Sequence, residues 1–211
     1  MLPDNLFGVF DNLTVTDQGT LTAAPETPPT TDSGHLSTTF TSLKNAAIAQ
    51  PPSAGPTQST IIQDINAFNL IRSNVSLTDF YATVTFINPS DASLPWDFGL
   101  AFRFVDQQPE IRFILESSGA WYATIGAGQP FASGTVPSIA SGPGQSNTIE
   151  MIAQGTVGIA AVNGVVLPQL DLPQPASPGD VVISSDFHPD NVVQLRPVPF
   201  QDFQVWDLPG A

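Results

Sequence analysis

The chain has no cysteine, a single lysine and two methionines among its 211 residues. Without thiols there is no disulfide scaffold and no thiolate catalysis or ligation. Basic side chains are scarce: Lys44, Arg72, Arg103, Arg112 and Arg196 stand against 19 acidic residues, for a net charge of −14. A nucleic-acid binder needs a clustered basic surface to displace counterions, so neither nucleic acid nor an anionic membrane is an expected partner. Histidine is nearly absent too. His35 and His188 are far apart and belong to no HExxH or HxxxH spacing, so no zinc site is expected. No run of 18 apolar residues exists, so no spanning helix is expected; the most apolar stretch, 158–167, is interrupted by Asn163-Gly164. The first six residues lack both the basic and the apolar part of a signal peptide. Few sites for trypsin-like cleavage or oxidation, on an acidic chain, point to a finished product that works outside the cell or on a cell or virion surface.

What is present is apolar enough to fold, at 41% hydrophobic and 11% charged residues. Three zones follow one another. Residues 1–17 hold a short apolar alternation through Phe10, Leu13 and Val15. Residues 18–60 are rich in Thr, Pro, Ser and Ala. Their stretches Ala24–Thr31 and Gln50–Pro56 are too proline-rich for helix or central strand, which predicts an extended spacer. Within it, Leu36–Leu43 alternates loosely and reads as an edge strand. Residues 61–211 hold nearly all the aromatic mass and read as the folded core.

In that core the hydrophobic period is two. Phe80–Ile87 is β-branched and aromatic and stops at Asn88-Pro89. Phe98, Leu100, Phe102 and Phe104 fall on one face of a strand, with Gly99, Ala101, Arg103 and Val105 on the other. Ile111, Phe113 and Leu115 repeat the pattern, and Trp121–Ile125 follows a turn at Ser117–Gly119. Asn163-Gly164 between Val157–Val162 and Val165–Leu170 is the strongest hairpin signal, since both turn residues need positive φ. Further strands are expected at 147–153, 180–185 and 200–206. No segment shows ten residues of capped helical spacing. The fold class is therefore all-β: an antiparallel jelly-roll sandwich with an extended N-terminal arm and a Thr/Pro-rich linker.

The succession Trp96–Arg103, Trp121–Gly126, Ala132–Val136, Val162-Asn163-Gly164 and Phe200–Trp206 resembles the concanavalin A-like (laminin G-like) jelly-roll domains of exported bacterial proteins, over roughly residues 61–209. That resemblance implies a sandwich shared by lectins, carbohydrate-binding modules, glycosidases and adhesive spacers, so it does not choose an activity. An internal echo also appears: Phe10–Asp17 aligns with Phe200–Asp207, apolar at three positions and closed by Asp in both. It suggests a tandem array, or an N-terminal strand that pairs with a neighbouring copy.

Catalytic chemistry is hard to find. The four glutamates are Glu26, Glu110, Glu116 and Glu150, and none forms the tight paired-acid pattern of a retaining jelly-roll glucanase. No nucleophile elbow occurs. Asp186 and Asp190, in a turn with His188, are a weak candidate for Ca²⁺; otherwise no cofactor is expected. Trp96, Asp97, Arg103, Arg112, Trp121 and Tyr122 lie on three consecutive strands and combine aromatic faces with polar groups, the chemistry that holds sugars. The leading expectation is a non-enzymatic, surface-exposed structural or adhesive subunit, partnered by its own copies or by neighbouring modules and assembling partly through the arm residues Phe10, Leu13 and Val15. A carbohydrate-binding module using the aromatic and arginine face, with glycans as partners, is the alternative. A glycoside hydrolase using Glu116 or Glu150 comes third.

Overall fold

The computed structural model describes residues 33–64, 69–91, 94–173, 177–185 and 195–208, together with the backbone of 13–15 and 21–23. The chain divides into two compact units, 1–32 and 33–211. In the first, β1 (Leu13–Val15) pairs antiparallel with β2 (Leu21–Ala23), Leu13 opposite Ala23 and Val15 opposite Leu21. Arm residues Leu13 and Val15 thus have ladder partners within the same unit, where the sequence suggested pairing with a neighbouring copy. Phe10 lies outside the described residues.

The second unit opens with α1 (Ser33–Ile48) and β3 (Ala54–Gln63). This corrects the spacer reading of 18–60 over residues 33–60, and the reading of 36–43 as edge strand. Leu36, Phe40, Leu43 and Ala47 recur at helical spacing and pack on Tyr81, Ile152, Ile159, Ala161 and Trp206. The surrounding threonines hide the pattern. Thr38 and Thr41 donate their hydroxyls to the carbonyls of Gly34 and Ser37, at 2.9 and 2.8 Å, so they do not compete with the helix for its amides. The helix ends before Pro51-Pro52. β3 is an edge strand that pairs only with β15 (Arg196–Asp207), which is where a proline such as Pro56 is tolerated.

The other strands are β4 (Leu70–Leu77), β5 (Phe80–Ile87), β6 (Asp97–Phe104), β7 (Ile111–Glu116), β8 (Ala120–Ile125), β9 (Ala132–Thr135), β10 (Ser146–Gln154), β11 (Val157–Val162), β12 (Val165–Val166), β13 (Leu170–Asp171) and β14 (Gly179–Ser185). They build two antiparallel sheets. A seven-stranded sheet runs β12-β11-β10-β5-β15-β3, with β13 also on β11; a six-stranded sheet runs β4-β14-β6-β7-β8-β9. All the described pairings are antiparallel, and the architecture is the expected jelly-roll sandwich. Asn163 and Gly164 take φ of 51° and 79° and join β11 to β12 as a two-residue hairpin.

The core between the sheets joins Phe98, Leu100, Phe102, Ile111, Phe113 and Leu115 to Phe80, Val84, Phe86, Met151 and Val198. Phe86 stacks on Phe98 with centroids 4.4 Å apart, and Phe102 meets Phe80 edge-on at 5.4 Å. The expected stripe holds with one exception, Phe104, which is half-exposed and outside the core.

Candidate functional site

Phe104 leaves the core because β14 runs between two bulged neighbours. Between the pairs Asp180–Ser76 and Val182–Arg72, three residues of β4 (Ser73, Asn74 and Val75) stand opposite the single Val181. Between Asp180–Phe104 and Val182–Ala101, two residues of β6 (Phe102 and Arg103) do the same. Asn74 and Arg103 absorb the extra length at φ of 61° and 54°. An inserted residue reverses the alternation beyond it, so Phe104 turns outward and Arg103 inward. Gly179 lets the strands come this close: a Cβ there would lie 2.4 Å from the carbonyl carbon of Arg103 and 2.7 Å from the Phe104 nitrogen.

The bulges leave an open depression of about 350 Å³ whose polar lining is Arg72, Asn74, Ser76, Asp106 and Asp180, beside Phe104 and Gly179. Arg72 lies over the Phe104 ring, 4.9 Å from its centroid, and donates to the Asp106 carboxylate. The ring and the carboxylate together hold the guanidinium at the depression. Asp180 accepts from the Ser73 hydroxyl at 2.6 Å and from the Asn74 amide at 3.1 Å, both on the same oxygen. It thereby braces the β4 bulge with one oxygen and leaves the other lone pairs for the depression. Asp106 is largely exposed and Arg72 about a third exposed, so both are accessible to a ligand. Fixed donors beside fixed acceptors, with an apolar wall, match a ring bearing vicinal hydroxyls, each of which both gives and accepts a hydrogen bond.

The six residues singled out from sequence do not form one face. Trp96 and Trp121 are core residues, 1% and 2% exposed, stacked on Phe98 and Phe113 at 4.6 and 5.8 Å. Gly134 makes room for the Trp121 indole, since a Cβ there would sit 2.7 Å from Nε1. Asp97 is fully buried, its carbonyl accepting from the Ser185 hydroxyl at 2.7 Å. Arg103 is buried at one end of the sandwich and donates to the Gly155 carbonyl, while its Nε and Nη1 have no hydrogen-bond partner. Burial pushes its guanidinium below the usual range, against the opposing pull of Asp79. Arg112 and Tyr122 are on the outer face of the six-stranded sheet and partly exposed, whereas Asp97, on the same face, is buried. There Arg112 forms an ion pair with buried Glu110 at 2.5 Å. Arg103 and Arg112 therefore do not share an arginine face: Ala101, not Arg103, is the register partner of Arg112.

Glu150, a candidate acid, is buried under α1, where it accepts from Lys44 at 2.5 Å and from the Tyr81 hydroxyl at 2.6 Å. Burial first, and then this bond to a carboxylate, push Tyr81 well above the ordinary tyrosine range. Glu116 is the register partner of Asp97 across β6 and β7. Among the described residues no group of three His, Cys, Asp or Glu side chains is placed to hold a metal ion. Asp186 and Asp190 lie outside the described residues.

No protein-family model matches the chain, and no curated protein sequence does either. Solved structures do match. The carbohydrate-binding module CBM66 from Bacillus subtilis superposes with a TM-score of 0.53 at 13% identity, over 74% of this chain and 98% of that one. A fructosyltransferase from A. japonicus gives 0.56 at 15% identity, over 80% of this chain but only 28% of the enzyme. A Bacillus subtilis protein of unknown function with a galectin-like fold gives 0.51 at 12%, over 71% and 81%. At such identities the likeness is one of fold. The chain shares with them the fold of a two-sheet antiparallel β-sandwich.

Proposed function

We propose that this protein is a non-catalytic glycan-binding sandwich, and that the depression between β4, β14 and β6 is where it holds sugar. The observation that carries this reading is the Arg72–Asp106 pair, with Arg72 over Phe104 and Asp180 in the same depression, a preformed donor and acceptor array on an accessible surface. A fold shared with a carbohydrate-binding module favours it over a purely structural or adhesive role. The reading as non-catalytic is supported by the engagement of the acids: Glu150 lies under α1, and Glu110 is neutralised by Arg112.

The test is a glycan array followed by calorimetry on the best-bound oligosaccharide. Arg72→Ala should weaken binding at least tenfold, and Arg112→Ala should leave it unchanged. Loss of binding in Arg112→Ala alone would move the site to the outer face of β7 and β8.

A further inference from the structure

Resting on that reading, we infer that the depression selects neutral or amino sugars and rejects acidic ones, and that Asp106 sets this choice. The lining carries two carboxylates, Asp106 and Asp180, and one cation, Arg72, within a chain of net charge −14. The charge of the one cation is already offset by Asp106, to which its guanidinium donates. A uronic or sialic acid entering here would place a third negative charge beside Asp106 and Asp180, with Arg72 as the one cation of the lining. Like charges held a few ångströms apart near a protein surface repel strongly. A neutral diol meets no such barrier, since its hydroxyls donate to Asp180 and accept from Arg72 without breaking the pair. An ammonium on the ring gains from both carboxylates. Asp106 is also well suited to be the selector in a mechanical sense. Its side chain is 71% exposed, while Asp180 braces the β4 bulge through Ser73 and Asn74. The charge at Asp106 can therefore change without disturbing the fold, and its removal releases Arg72.

The experiment uses the full chain and an array printed with matched glucose-, glucuronate- and glucosamine-terminated oligosaccharides and the corresponding galactose series. The wild-type protein should bind neutral and amino members at least tenfold more tightly than the matched uronates. In Asp106→Asn the uronates should gain at least tenfold, and the amino sugars should lose affinity. Phe104→Ala should reduce every class. Wild-type binding of uronates equal to that of neutral sugars, abolished by Phe104→Ala, would overturn the charge selection while leaving glycan binding intact. So would an Asp106→Asn variant with an unchanged ranking. Retention of no member by the wild-type protein would overturn the glycan reading and this inference with it.

Discussion

Phe102 and Phe104 sit two residues apart on one strand, and strict alternation gives them the same environment. The bulge separates them, and the separation is measurable. Phe102 is fully buried and meets Phe80 edge-on at 5.4 Å. Its truncation to Ala loses the burial of a whole aromatic side chain, leaves a cavity and removes an aromatic pair, about 3–5 kcal/mol together. In a domain of this size that lowers Tm by roughly 6–20 °C, at about 2–4 °C per kcal/mol. Phe104 is half-exposed and its main partner is the Arg72 guanidinium, so Phe104→Ala should cost about 1 kcal/mol. Chemical denaturation of both variants at one pH, with m-values compared, gives the two numbers. Equal costs, or a larger cost at Phe104, would mean that β6 is unbulged and that the depression does not form as described.

Three further outcomes are expected. Gly179→Ala should lose about 1–3 kcal/mol, because its Cβ would meet the Arg103 and Phe104 backbone, and should weaken glycan binding; a neutral result by denaturation would refute the close approach. Tyr81 keeps its proton in the folded state beyond the ordinary value of 10.0. The stability this gives is full below that value and is lost as alkali rises through the raised one, because the unfolded chain ionises first. In a Tyr122→Phe protein, tyrosinate absorbance should therefore stay absent past pH 10 until unfolding, and a reversible midpoint near 10 would contradict the Glu150 contact. A chain beginning at Ser33 should keep a single cooperative unfolding transition, since 33–211 forms a compact unit by itself; loss of that transition in a denaturant titration would contradict the division.

Much of the sandwich was legible because its strands declare themselves by period. β5 has the bounds that Phe80–Ile87 and the Asn-Pro stop suggest, and Asn163-Gly164 marks the hairpin between β11 and β12. α1 was hidden because Leu36, Phe40 and Leu43 are separated only by Ser and Thr, whose low helix propensity outweighs a sparse 3.6-residue pattern until packing on the sheet is added. The sugar-binding candidates failed for a simpler reason. Trp96 and Asp97, like Trp121 and Tyr122, are consecutive residues of extended chain and cannot share a face; the pairing of Trp121 with the buried Phe113 stripe already placed it inside. The depression was illegible because a bulge at Phe102–Arg103 has no glycine or proline to announce it. Asn74, in left-handed conformation on β4, is the one local signal that sequence offers.

The most direct measurement is a crystal structure of the protein soaked with the oligosaccharide that it binds most tightly. The sugar ring should lie between Arg72 and Asp180, with hydroxyls within hydrogen-bonding distance of both and of Asp106. A ring bound over Arg112 and Tyr122 instead, or a depression left empty while sugar occupies another surface, would contradict the account.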